Sequence, residues 1–142
     1  MNLYQIHGLL QFSVFVILFP LGALIALFRN YVGENWKLFH VGIQLTAVTL
    51  FIIAVSMAIY MGRKYPKTTD NDKKVVTSPI RKLHKLLGRI IGIVILFQLV
   101  WAYKGRNYVN WTLWYYIHMA LSASIILLGW TNITLAFRMK NM

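Results

Sequence analysis

The sequence predicts an all-α integral membrane protein, a four-helix bundle built from two similar helical hairpins. Three observations carry that expectation. Of 142 residues, 58% are hydrophobic and 13% are charged, against about 25% charged in an average soluble domain. The apolar residues gather in four long blocks rather than scattering. The second half of the chain also echoes the first. A single transmembrane domain spanning 1–142 is expected.

Crossing a bilayer of about 30 Å takes roughly 20 helical residues, and each block is long enough. The first runs about Leu3–Phe28 and ends at Arg29. Pro20 lies inside it and should kink it locally. The second runs about Leu38–Met61, before Gly62-Arg63-Lys64. The third runs about Leu83–Tyr103, with Lys85 and Arg89 close enough to the interface to snorkel. The fourth runs about Trp111–Phe137 and ends at Arg138. The loops Asn30–Trp36 and Lys104–Asn110 are short, so the helices they join should be antiparallel neighbours. Tyr65–Ile80 is polar, with Pro66, Pro79 and the run Asp70-Asn71-Asp72-Lys73-Lys74, and reads as a mobile loop. The first block is too long for a signal-peptide core and has no basic segment before it, so no cleavable signal is expected.

Both termini then fall on one side, here side A. Eleven Lys and Arg residues flank side A: Arg63, Lys64, Lys67, Lys73, Lys74, Arg81, Lys82, Lys85, Arg89, Arg138 and Lys140. Side B has four, Arg29, Lys37, Lys104 and Arg106. The positive-inside rule puts side A in the cytoplasm. A net charge of +12 would suggest nucleic acid for a soluble chain. Here the cations lie mostly between apolar blocks, where lipid headgroups or anionic substrates are the natural partners, and no nucleic-acid partner is expected.

The repeat is clearest on side B. Arg29-Asn30-Tyr31-Val32, Asn35-Trp36 and His40 are echoed by Arg106-Asn107-Tyr108-Val109, Asn110-Trp111 and His118. His7-x-Leu9-Leu10 in the first span matches His84-x-Leu86-Leu87 in the third. Superposing the hairpins superposes all four histidines of the chain, one near the start of each span. A two-fold axis along the membrane normal would make His7 face His84 on side A and His40 face His118 on side B.

Two histidines are an incomplete zinc site, and the only acidic residues, Glu34, Asp70 and Asp72, lie in loops. Haem brings four nitrogens and needs only two axial ligands. The absence of cysteine excludes covalent C-x-x-C-H attachment. The pattern therefore points to two non-covalent b haems, each between paired imidazoles, with irons roughly 20 Å apart along the normal. With both axial positions filled, outer-sphere electron transfer is the chemistry that remains.

Gly8 follows His7, Gly42 lies two residues after His40, and Gly88 four after His84. Each would let a flat macrocycle approach its helix, although Gly88-x-x-x-Gly92 taken alone is better read as ordinary helix packing. Gln98 and Asn132 each lie fourteen residues beyond a histidine, His84 and His118. Fourteen residues is close to four turns, or about 21 Å, so Gln98 should reach the level of the side B haem and Asn132 that of the side A haem. Haem propionates or the second ring nitrogens of the histidines would be their partners. Trp114, Tyr115 and Tyr116 read as interfacial belt residues rather than electron relays.

These residues resemble the core of the eukaryotic cytochrome b561 family over nearly the whole chain. The likeness rests on His7-Gly8, Pro20-Leu21-Gly22, Ala26-Leu27-Phe28-Arg29, Trp36 through His40, His84-x-x-x-Gly88, Gln98, Asn110-Trp111, His118 and Asn132-Ile133. It implies a transmembrane reductase that takes electrons from ascorbate and delivers them to monodehydroascorbate or a ferric chelate. Common members have two further outer helices beyond the four expected in these 142 residues. The family's ascorbate pocket is cytoplasmic; carried over, Arg29 and Lys37 would make side B cytoplasmic, opposite to the charge count. On either orientation the candidate substrate-binding cations are Arg29, Lys37 and Arg106 by the side B haem, and Arg81, Lys82 and Lys85 by the side A haem.

Three other readings are open. The chain could be a di-haem subunit of a larger membrane complex, exchanging electrons with quinol or a protein partner. It could be a small transporter, although such proteins usually need an intramembrane ionisable group. It could be a purely structural membrane subunit. A homodimer or a larger redox complex is open as its assembly, and the sequence does not indicate an organelle.

Overall fold

The computed structural model describes residues 2–64 and 78–140, and their regular structure is all helical. Four helices, Leu3–Leu27, Trp36–Lys64, Pro79–Asn107 and Trp111–Met139, are long and apolar enough to cross a membrane. The chain is a multi-pass membrane protein. It divides into two compact units, Met1–Ser78 and Pro79–Met142, each containing one helical hairpin. The polar stretch 65–77, with its expected mobility and the cations Lys67, Lys73 and Lys74, lies outside the described residues.

In the first unit, α1 (Leu3–Phe12) opens on a capping box. Asn2 Oδ1 accepts from the Gln5 N–H, and Gln5 Oε1 accepts from the Asn2 N–H, both at 2.9 Å. Two N–H groups at the helix start, which have no intrahelical acceptor, are thereby satisfied. A π-helical segment, Ser13–Leu18, connects α1 to α2 (Phe19–Leu27) and lies just before Pro20, where a local kink is expected. The physical reason lies in the proline ring. It carries no N–H and would crowd the carbonyl four residues back. Widening the turn just before it lets the Phe19 N–H donate to the Val14 carbonyl, five residues back.

A short turn of helix, α3 (Arg29–Val32), follows and stops at Gly33, whose φ of 88° is easily reached only without a side chain. The second span, α4 (Trp36–Lys64), then returns antiparallel. It starts two residues before the expected boundary and runs three beyond it. Val14, Phe15, Phe19, Ala47, Phe51, Ala54 and Met61 form the buried core. Phe15 lies edge-on to Phe51 with ring centroids 5.8 Å apart.

In the second unit, α5 (Pro79–Lys104) begins on a proline, which suits the first helical position because that N–H has no intrahelical acceptor. Pro79 and Ile80, expected in the loop, are therefore inside the helix, as are Arg81 and Lys82, expected to flank the span. A 3₁₀ turn, Gly105–Asn107, leads to α6 (Trp111–Lys140). Asn110 Oδ1 caps α6 by accepting from the Leu113 N–H at 2.8 Å. Ile91, Ile95 and Ile125 are buried. Gly105 is needed where it stands, since a Cβ there would meet the Trp101 ring at 2.6 Å.

Hydroxyls along the spans are satisfied locally. Thr46, Thr49, Ser122, Ser124, Thr131 and Thr134 each donate to the carbonyl four residues back. That is how a membrane helix carries polar side chains where no water is available. Leu9, Ile17, Ile52, Ile93, Leu96 and Leu127 are exposed, as apolar groups can be when the solvent is hydrocarbon.

Glycine contacts separate fold from free space. A Cβ on Gly22 would lie 2.5 Å from Gln44 Nε2, whereas nothing lies within 4 Å of one on Gly8. Gly22→Leu should therefore lower stability in detergent by about 1–3 kcal/mol through overpacking. Gly8→Ala should leave stability unchanged or slightly raised, since alanine favours helix by about 1 kcal/mol. Unfolding of both variants by a fluorescence melt checks the contrast.

Candidate functional site

Each histidine is half-buried and touches the other helix of its own hairpin. In the first unit, His7 Nδ1 lies 2.9 Å from the Ala54 carbonyl oxygen and His40 Nδ1 lies 2.7 Å from that of Gly22. In the second, His84 Nδ1 lies 3.1 Å from the carbonyl oxygen of Asn132. A carbonyl can only accept, so in all three Nδ1 carries the proton and donates it. For the neutral ring the lone pair is then on Nε2, the atom a metal would take.

At His118 the pattern changes. Its Nδ1 lies 3.0 Å from Gln98 Nε2, which also donates to Ser122 Oγ at 2.8 Å and to the His118 carbonyl at 3.2 Å. Gln98 thus stands beside His118, and Asn132 beside His84, at the levels that fourteen-residue spacing predicts. Gln98 meets the ring nitrogen, one of the two partners expected for it. Asn132 meets His84 through its main chain, and its side-chain Oδ1 is buried without a partner, as is Gln98 Oε1.

The repeat is visible in these contacts. Ala54 is fourteen residues beyond His40, as Asn132 is beyond His118, and each supplies the carbonyl for the histidine of the preceding helix. Gln44 and Ser122 each lie four residues beyond those same histidines. Both enter the contact with the preceding helix, Gln44 at the Phe19 carbonyl and Ser122 at Gln98.

Tryptophan shows where the sequence alignment slips. Matching Asn35-Trp36 to Asn110-Trp111 pairs Trp36 with Trp111, but measured from the histidines Trp36 corresponds to Trp114, each four residues earlier. Trp36 lies 6.4 Å from the His40 ring, tilted by 54°. Trp114 stacks on His118 at 5.1 Å and 12°. Trp114 and Trp101 also exchange bonds, each indole N–H donating to the other's carbonyl at 3.0 and 3.3 Å. Trp114 is therefore half-buried and packed on His118, while Tyr116 is exposed.

The cations stay at the helix ends. Arg29 lies in α3 and Lys37 in the first turn of α4, with its ammonium 5.7 Å from the Trp36 ring. The Arg106 guanidinium sits 4.9 Å over Trp111, which stacks on Trp114 at 5.0 Å. Arg81, Lys82 and Lys85 line the first turns of α5, with Arg81 half-buried. Nothing lies within 4 Å of a Cβ placed on Gly8 or Gly42, so both helices have open space there. Gly88 instead packs within its hairpin, 3.6 Å from Asn132 Nδ2.

Two constraints on chemistry follow. Within each hairpin the two histidines sit at opposite ends, separated by about four helical turns or roughly 21 Å, so no single iron can take both. Among the described residues no group of three or more His, Cys, Asp or Glu side chains converges as a metal site. Comparison of the chain with family models, curated proteins and solved structures finds no match.

The histidine bonds should matter modestly to folding. Polar side-chain contacts between membrane helices contribute about 0.6 kcal/mol on average and at most about 1.7 kcal/mol. His7→Leu and His84→Leu should therefore each cost less than about 2 kcal/mol and remain monodisperse, as equilibrium unfolding in mixed detergent micelles would measure.

Proposed function

We propose that the protein carries electrons across a membrane through two bis-histidine b haems, from ascorbate to monodehydroascorbate or a ferric chelate. The observation that carries this reading is the set of Nδ1–H bonds on His7, His40 and His84. A ligating histidine characteristically donates its other ring N–H to a carbonyl or carboxylate, which fixes tautomer and orientation and makes the ligand more basic.

The residues present suit haem. The buried side-chain amides of Gln98 and Asn132 have no partner at Oε1 and Oδ1, and turned over, each would present its NH₂ to an acceptor such as a haem propionate; the helix surfaces at Gly8 and Gly42 leave space for a flat group. Because the histidines of one hairpin lie too far apart to share an iron, each haem takes one imidazole from each repeat. The sequence repeat pairs His7 with His84 and His40 with His118. When bound, the haems supply one-electron redox chemistry with no open coordination position.

The chain's own groups do the rest. Main-chain carbonyls hold three imidazoles in the Nδ1–H form. Apolar helix faces exclude water and hold the sites at two depths. Arg29, Lys37 and Arg106 at one set of helix ends, and Arg81, Lys82 and Lys85 at another, attract anionic donors and acceptors. The resemblance to the cytochrome b561 core is what names ascorbate and its acceptors; histidine geometry alone reaches only as far as two bis-imidazole sites.

Haem counting in variants tests the pairing. His7→Ala and His84→Ala, alone or together, should each leave one haem per chain, and so should His40→Ala with His118→Ala. His7→Ala combined with His40→Ala should leave none. Two haems retained in folded single variants would overturn the ligand assignment. Reduction by ascorbate should also slow several-fold between about 10 mM and 150 mM salt as the cationic rims are screened. Stopped-flow absorbance at the reduced-haem band would record it, and a rate indifferent to salt would remove the cations from the substrate site.

A further inference from the structure

His7, His40 and His84 hold Nδ1 against a main-chain carbonyl, which cannot turn. His118 meets a side-chain amide at that atom, and an amide can turn. Gln98 Nε2 has two hydrogens but lies within reach of three groups, His118 Nδ1, the His118 carbonyl and Ser122 Oγ. Its Oε1 is buried with nothing to accept from. With nitrogen inward, His118 Nδ1 acts as acceptor and the imidazole proton sits on Nε2, where it blocks metal ligation.

Rotating the amide half a turn about its last bond exchanges oxygen and nitrogen at almost no cost in shape. Oε1 then accepts from His118 Nδ1–H and can accept from the Ser122 hydroxyl, which now donates to the His118 carbonyl. The NH₂ group takes the buried outward position, where it needs an acceptor. The imidazole proton moves from Nε2 to Nδ1, with no net proton or electron gained or lost. His118 then matches the other three histidines.

We infer that Gln98 is a positioning residue that decides which ring nitrogen of His118 carries the proton, and so tunes the haem at His118 apart from the other haem. The inference rests on the di-haem reading. The structure has nitrogen inward, and oxygen-inward is the ligating arrangement.

Two variants of the full-length protein test it. Gln98→Glu keeps an acceptor oxygen at Nδ1, and Gln98→Leu removes the side-chain amide from it. In a redox titration resolving two haems, Gln98→Glu should lower one midpoint potential, and Gln98→Leu should raise that same midpoint. The other wave should stay where it is, and loss of the moving wave in His118→Ala identifies it. Gln98→Leu should also weaken retention of that haem by about 10- to 100-fold. Both waves moving together, neither moving, or one wave moving the same way in both variants would overturn the inference.

¹⁵N NMR of the haem-free protein reads the tautomer directly, with His118 assigned by difference from His118→Ala. The wild type should show Nε2–H at His118 and Gln98→Glu should show Nδ1–H. The same tautomer in both would refute the role of Gln98 whether or not haem binds. A wild type that never takes up haem would instead defeat the di-haem reading.

Discussion

An imidazole N–H held by a carbonyl of the facing helix is the interaction on which this structure turns. In a bilayer a buried ring nitrogen has no water to fall back on, so each of His7, His40 and His84 needs an acceptor at its own depth, and a neighbouring main chain provides it. One bond does three things. It ties the two helices of a hairpin in register, fixes the ring orientation, and settles that Nδ1 carries the proton. None of these is worth much in folding energy, about 0.6 kcal/mol on average for such contacts. Their effect is on chemistry, because Nε2 of the neutral ring is left with the lone pair that a haem iron would take under the proposed function.

Local departures from regular helix serve the same contacts. Gly22 leaves room for Gln44 against the first span, and its carbonyl receives His40. The π-helical segment before Pro20 absorbs the missing hydrogen bond a short way before that acceptor. In the second hairpin the Trp101–Trp114 exchange fixes the ring that stacks on His118. The two hairpins thus reach similar ends by different side chains, glutamine and glycine in one and glutamine, serine and tryptophan in the other.

Much of this was legible in the chain itself. Four apolar blocks determine four spans, because backbone in hydrocarbon has almost no alternative to helix. The histidine spacing and the fourteen-residue offsets of Gln98 and Asn132 place side chains by helical arithmetic alone. What stayed hidden has physical causes. The Ala54 and Gly22 acceptors are main-chain atoms, and no side chain advertises them, although Ala54 shares the spacing of Asn132. Pro20 announces a disturbance without saying whether the helix bends or widens. Trp114 was masked because three additional residues separate the Asn110 cap from His118, compared with Asn35 and His40, so motif matching selected Trp111.

The central claim is that four oriented imidazoles exist to hold two haems, and a reduced-minus-oxidised absorption spectrum with haem quantified per chain tests it most directly. The protein should be expressed with haem supplied and purified in detergent. Two low-spin b haems per chain, both reducible by dithionite, are expected. A folded, monodisperse and colourless protein would contradict it, and would leave the histidine–carbonyl bonds as helix-packing contacts alone.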